Sequence, residues 1–399
     1  MITSDFLVIG GGIIGLSISR ELKKRHPESS IIILEKEEKC GLHASGRNSG
    51  VLHAGFYYTA DSLKARFTRL GNQQLTEYCK SNNIPLNNCG KLVVATKPED
   101  IPQLDELLLR AKNNNVLLHD ITEKEAQEIE PRVKTLGKAL FSPATSSVDP
   151  SKVMQVLTQE ALSLGIQIDN KTRFLKKTNQ IVQTTRGNYE SKYIVNVGGL
   201  YADKIARHFG FSNDYCILPF KGLYLYSKEP SGSLKTNIYP VPDLRNPFLG
   251  VHFTVMANGM SKIGPTAIPA FWREQYTGIN NFRLNEFAEL SFRQASLFFN
   301  SNFDFKRLAW EEIRKYSRTH LVNLASSLLT DVKTSNYKKW GKPGIRAQLL
   351  NIKKNTLEMD FIVEGDHKSI HILNAVSPAF TCAFPFADYV CNKIEELAN

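Results

Sequence analysis

Three glycines spaced Gly10-x-Gly12-x-x-Gly15, with Glu35 twenty residues beyond the last of them, carry the most legible chemistry in this chain. In that spacing the first glycine permits a tight turn and the second lets the backbone approach a pyrophosphate. The third lets a helix pack close to a strand. A helix start supplies free N–H groups and partial positive charge for the phosphates. Glu35 stands where a carboxylate accepts hydrogen bonds from an adenosine ribose, and its charge would repel a 2′-phosphate. The pattern points to NAD or FAD rather than NADP. Directly after it, residues 40–58 are rich in small and hydrogen-bonding side chains (Ala44, Ser45, Gly46, Asn48, Ser49, Gly50) and carry His43, His53, Tyr57 and Tyr58. Such a loop can wrap an extended ligand, and it reads as a ligand wall rather than a plain surface loop.

The elements that must position these groups can be read from periodicity. Phe6–Ile9 is an apolar run with the character of a buried parallel strand. Ile14, Ile18 and Leu22 share one face of a helix that ends near His26-Pro27, and Ile31–Leu34 is a second strand ending at Glu35. Farther on, the spacing predicts helices over 62–81, 98–114 and 150–164, with Thr122 and Glu125 as a capping box. Tyr193–Val197 is an apolar strand that ends in Gly198-Gly199, a second place where backbone could approach a cofactor. From 218 to 264 strands recur with no helix between them, which predicts an antiparallel sheet and a second domain. Helices are expected over 285–299 and 310–329, and strands over 345–363 and 370–373. Ser377, Pro378 and Thr381 then open a terminal helix whose dipole could face developing negative charge.

Bulk properties narrow the class. A chain of 399 residues holds a large core and two domains. The net charge is +11, but the lysines are scattered and form no basic run, so a generally basic surface is expected and not a nucleic-acid site. The six cysteines form no CxxC pair and no metal-ligand spacing, which fits free thiols in a reducing compartment and no bound metal. The first strand begins almost at Met1, so no signal peptide is expected. No apolar run reaches the ~20 residues needed to span a bilayer. A cytoplasmic location is expected, with peripheral membrane contact left open.

Motifs recur along the whole chain. After the glycine unit come Asn48-Ser-Gly-Val-Leu-His53-Ala-Gly with Tyr57-Tyr58, and Gly198-Gly-Leu200 with Asp203. Then follow Asn237-Ile-Tyr-Pro-Val-Pro-Asp243, Pro247-Phe-Leu-Gly-Val-His-Phe-Thr254, Gly264-Pro265 with Phe271 and Arg273-Glu274, Gly344-Ile-Arg346-Ala-Gln348, and Asn374 with Ser377-Pro378-Ala379. In these the chain resembles the FAD-dependent amino-acid and hydroxy-acid oxidoreductases of the D-amino-acid-oxidase superfamily. Within it, the chain is most similar to the L-2-hydroxyglutarate dehydrogenase/oxidase family. The resemblance implies an α/β fold (α+β overall): a discontinuous Rossmann-like FAD-binding domain (1–85, 140–215 and 341–399) with an antiparallel β-sheet substrate domain (86–139 and 216–340) roofing the flavin ring. It implies FAD contacts from Gly10, Gly12, Ile14, Gly15, Glu35 and Lys36. Further contacts fall to His43, Ser45, Asn48, Ser49 and Gly50, and at the ring end to Gly198, Gly199, Ser377, Pro378 and Ala379.

The implied reaction is oxidation of L-2-hydroxyglutarate, or a closely related 2-hydroxy acid, to the 2-oxo acid, with hydride passing to flavin N5. Another oxidoreductase of the superfamily, acting on an amino acid or glycerol-3-phosphate, and a non-catalytic FAD-binding protein are the alternatives. The hydroxyl proton needs a base that is free near neutral pH, which suits histidine. His53 is the first choice, because it follows the flavin-wrapping loop, and His252, in an apolar strand that should roof the site, is the second. A dicarboxylate needs two cationic or strong donor sites, and arginine offers the bidentate geometry. Arg273 and Arg346 lie in matching motifs, with Lys221 (where the family tends to have Arg) and Tyr58 as further contacts. Related flavoproteins attach FAD covalently to a histidine in a similar loop, but a non-covalent contact is the expectation for His43, and Cys382 reads as packing. Oxygen, a quinone or an electron-transfer protein would take the electrons.

Overall fold

The computed structural model describes residues 1–243, 248–300 and 305–398, so Pro247 of the expected motif lies outside the described residues. Its central sheet grows from Ile2–Ile9. That strand pairs in parallel with Ile31–Leu34 on one side and Gly187–Asn196 on the other. Gln167–Asp169 extends the first flank and Ser369–Ile372 the second, both in parallel. Parallel strands need crossover connections, and the glycine turn with helix Ile13–Arg25 supplies the first of them. Ile18 and Leu22 of that helix are fully buried, packed with Phe386 and Val390 of the terminal helix Ala383–Ala398 and with Leu157 of helix Pro150–Ser163. The predicted periodicity and the observed burial agree at these residues.

Two further sheets form the other half. In one, Tyr215–Gly222 pairs antiparallel with Gly344–Asn351, in a register that sets Phe220 opposite Arg346. In the other, Ser261–Gly264, His252–Val255 and Asn237–Pro240 follow one another antiparallel. This sheet departs from the expected pure antiparallel pattern. Asn237–Pro240 runs parallel to Lys91–Val94, because the intervening chain leaves to build much of the central sheet and returns as a long crossover.

The Thr122–Glu125 capping box expected from sequence is present, and Ser62 and Asp149 cap two further helices. Ser62 Oγ accepts a hydrogen bond from Ala65 N at 3.1 Å, and Thr122 and Glu125 cap each other reciprocally. Asp149 accepts from Ser151 N at 2.8 Å. The single helix expected over 310–329 is two, Phe305–Arg314 and Arg318–Ala325, because Ser317 Oγ accepts from His320 N and starts a new helix. No helix among the described residues is long and apolar enough to cross a membrane.

Candidate active site

One elongated cavity of about 1360 Å³ runs from the glycine turn, along the central sheet, to the underside of the second half. That exceeds the roughly 300–1000 Å³ typical of drug-sized ligands and suits an extended dinucleotide with a small molecule beyond it.

The glycine turn opens the cavity, and each glycine has a separate geometric reason. A Cβ on Gly15 would lie 2.0 Å from Gly10 O, so only glycine lets this helix sit so close to the strand. On Gly12 it would meet nothing within 4 Å except Ser45 Oγ at 3.1 Å, so the bare backbone faces space that a ligand can enter. Ile14 also lines this end. Glu35 is buried at the end of Ile31–Leu34, accepting from Gly11 N at 3.0 Å and from Glu37 N at 2.9 Å. Those bonds fix the carboxylate beside the turn with lone pairs to spare for a ribose. The donor set fits FAD here.

Lys36 bridges Glu37 and Glu274, and Glu37 also meets His43 Nε2 at 2.8 Å. His43 Nδ1 lies 2.6 Å from the Tyr276 hydroxyl, so both ring nitrogens are engaged. Glu37, His43 and Glu274 converge closely enough to suggest a metal, but Lys36 already supplies the cation. Ser45 Oγ accepts from Ile13 N at 2.9 Å, and Asn48 is held by its amide to Ser45 O. Asn48, Ser49, Gly198, Gly199, Ser377, Pro378 and Ala379 all line the cavity as well. Gly50 does not. It holds φ +80° and a Cβ there would strike Val148 O at 2.3 Å, so it turns the chain behind the wall. Cys382 is buried against Thr68, and burial pushes its thiol up to about 12, which fits the expected packing role.

At the far end His53, Tyr57, Tyr58, Tyr224, Tyr239, His252 and Arg346 line the same cavity. His53 N donates to Thr381 Oγ1 at 3.2 Å, tying the wrapping loop to the start of the terminal helix. Its Nδ1 is buried with no hydrogen-bond partner among the described residues. His252 stacks on Tyr239, and its Nδ1 lies 2.8 Å from Gly250 O. A carbonyl only accepts, so Nδ1 carries the hydrogen and Nε2 keeps its lone pair. Burial pushes both histidines below their ordinary value, His252 to about 3, and the nearby Lys91 and Arg346 cations add to the effect. Both rings are therefore neutral at physiological pH.

Arg346 comes from Gly344–Asn351, with its guanidinium 4.9 Å from the Phe248 ring. It has no hydrogen-bond or ion-pair partner among the described residues, and burial lowers its pKa. Beside it, Lys64 from the first turn of helix Leu63–Ser81 is buried and lines the cavity. Burial pushes its ammonium down to about 8, against the pull of Asp360. Sequence reading missed Lys64. Its signal was a lysine in a helix first turn, where the dipole disfavours positive charge.

Two expected substrate contacts do not reach the cavity. Arg273 is fully buried elsewhere: its guanidinium makes a two-pronged ion pair with Asp203, at 2.6 and 2.8 Å, and also donates to Leu200 O. Asp203 accepts from Ile217 N as well, so the pair ties helix Ala202–Arg207 to the second half. Lys221 alternates to the strand face opposite Phe220 and Gly222, which line the cavity, and its ammonium lies 5.9 Å from the Tyr316 ring.

The FAD dependent oxidoreductase family profile matches residues 5–391. The L-2-hydroxyglutarate dehydrogenase of Indibacter alkaliphilus is 36% identical over 397 residues, spanning 96% of this chain and 97% of its own. The mitochondrial protein of that name from Nematostella vectensis is 34% identical, spanning 98% and 90%. That of Escherichia coli strain K12 is 32% identical, spanning 98% and 93%. Among solved structures, L-alpha-glycerophosphate oxidase from Mycoplasma pneumoniae with FAD bound superposes with a TM-score of 0.79 at 21% identity, covering 99% of this chain and 95% of the other. Glycine oxidase from Geobacillus kaustophilus gives 0.75 at 19%, with the same coverage, so these two speak to the fold. The chain belongs to the FAD dependent oxidoreductase family and is a FAD-dependent enzyme.

Proposed function

We propose that this enzyme oxidises L-2-hydroxyglutarate, or a closely related 2-hydroxy dicarboxylate, to the 2-oxo acid. The observation that carries the reading is Arg346: a half-buried guanidinium in the cavity wall with no ion-pair partner among the described residues. A charge drawn partly out of water without a partner is costly, so the site suits a ligand that brings the countercharge. Arg346 holds one substrate carboxylate by its fork, and Lys64 holds the second. These two replace Arg273 and Lys221 as carboxylate partners. When bound, FAD would supply the acceptor for the hydride of the hydroxyl-bearing carbon. His53 takes the hydroxyl proton, and His252, fixed by Tyr239 and Gly250, orients the hydroxyl through Nε2. The names of the Indibacter, Nematostella and Escherichia relatives support the same acid.

The domain division follows the same reading: the central parallel sheet carries the cofactor, and the other sheets roof the substrate. Oxygen, a quinone and an electron-transfer protein each meet the need to reoxidise FAD. The outer helices Leu284–Asn300 and Phe305–Arg314 expose Phe292 and Trp310 at 69% and 66%, in a chain of net charge +11. We infer peripheral contact of these helices with an anionic membrane; failure to sediment with anionic vesicles excludes it.

Anaerobic mixing with a substrate panel tests the assignment. L-2-Hydroxyglutarate should bleach the flavin, and faster bleaching by an amino acid or glycerol-3-phosphate would move the enzyme elsewhere in the superfamily.

A further inference from the structure

Behind the cavity wall lies a charge that the reaction above does not use. Lys91 opens strand Lys91–Val94, paired with Asn237 on one side and Ser142 on the other. It is completely buried, and its ammonium has no hydrogen-bond partner among the described residues. Three aromatic rings surround it: Phe56 at 4.6 Å, Tyr57 at 4.5 Å and Tyr239 at 4.8 Å. The ring faces offer partial negative charge, which is how a lysine can stay in such a place without an anion. Lys91 does not itself line the cavity, but Tyr57 and Tyr239 do, and Tyr239 carries His252 stacked on it.

We propose that Lys91 is a positioning residue: a caged cation one aromatic layer behind the substrate chamber, whose field adds to burial in holding His53 and His252 ready for the hydroxyl proton. It touches neither substrate nor cofactor and acts only through the two histidines. This rests on the proposed reaction for the need of a base, but the field itself does not.

The charged surroundings agree. The groups bearing on His53 are Lys91, His252 and Arg346, all basic, and those on His252 are Lys91, Lys262 and Arg346, with the Gly250 carbonyl opposing. Tyr57, Tyr58, Tyr224 and Tyr239 are held neutral by burial. Lys64 adds a further cation at this end. The carboxylate beside Lys64, Asp360, is occupied by the N–H groups of Leu63, Lys64 and Phe361. Burial alone pushes Lys91 down to about 7, so it becomes charged on the acid side of neutrality, where its field adds to the burial that already disfavours protonation of the histidines.

The test uses the FAD-loaded enzyme with Lys91→Met, which keeps length and removes charge. Flavin absorbance and melting temperature report cofactor retention and folding. The acid limb of kcat/KM should move to higher pH by about one unit, a roughly tenfold loss at a fixed pH on that limb, with the rate unchanged above pH 8 where Lys91 is already neutral. An acid limb at the same pH in both enzymes overturns the proposal, and a lowered melting temperature alone would mark a structural lysine. Histidine NMR titration of the wild-type holoenzyme gives a reading independent of substrate and of the variant's folding. The His252 signal should shift near pH 7 as Lys91 loses its charge, and a flat trace there also overturns the proposal. If L-2-hydroxyglutarate fails as substrate while the shift near pH 7 is present, the reaction is wrong and the field stands.

Discussion

His252 lies face to face on Tyr239, with ring centroids 3.7 Å apart and planes 17° apart. The stack and the Gly250 carbonyl hold the imidazole in one orientation and one tautomer, which is what an orienting acceptor needs. His53 sits in the same wall, anchored through Thr381. His53→Ala should therefore retain FAD and lose turnover by about a hundredfold or more, the scale of general-base removal. His252→Ala should show the smaller loss. Steady-state kinetics on the yellow, folded variants check this, and the reverse order would transfer the proton to His252.

The buried histidines also set a stability profile. His53, His252 (to about 3) and His371 (to about 4) all take protons less readily in the folded chain than at the ordinary 6.5. Below pH 6.5 the unfolded chain binds more protons than the folded one, so stability falls as pH falls. Each group contributes up to about 1.4 kcal/mol per pH unit between 6.5 and its folded value. Melting temperature measured from pH 7.5 down to 4 should decline with a steepening slope below 6.5. His371→Gln should make that decline shallower, because this imidazole lies among Asn196, Ser369 and the Phe209 and Phe211 rings, away from the cavity.

The glycines separate cofactor binding from folding. Gly12→Val fills the ligand side of the turn, so the protein should fold and emerge colourless. Gly15→Ala drives a Cβ into Gly10 O and should cost stability near the upper end of overpacking, about 3 kcal/mol, whether or not FAD is added. Absorbance at 450 nm and thermal melts distinguish the two.

The Asp203–Arg273 pair should behave as architecture. Arg273→Met leaves Asp203 buried without its partner and should cost about 3–5 kcal/mol. Flavin reduction by substrate in the fraction that folds should be nearly unchanged, since Arg273 does not line the cavity. A raised KM with normal melting would return Arg273 to the substrate site.

The cofactor half was legible because its signals are local. Gly10, Gly12, Gly15 and Glu35 lie within one strand–helix–strand unit, and every spacing has its own steric reason. The substrate end depends on long-range pairing that spacing does not report. Phe220 and Arg346 face one another only because two strands 126 residues apart pair in that register, and the same register turns Lys221 away. Arg273 sits in a family motif and so read as a carboxylate ligand. Its carboxylate is Asp203, seventy residues earlier in the chain. Lys64 was hidden because a lysine near a helix start reads as solvated surface until the burial of its turn is known.

The central claim is that the chamber around Arg346 and Lys64 is built for two carboxylates. Rapid mixing without oxygen, comparing flavin bleaching by L-2-hydroxyglutarate with that by L-2-hydroxybutyrate, tests it most directly, because the second acid keeps the reacting carbon and lacks the distal charge. Losing a charge-assisted contact of about 1.5–3 kcal/mol predicts bleaching roughly ten- to a hundredfold slower at equal subsaturating concentration. Equal rates for the two acids would mean that the chamber holds no distal carboxylate.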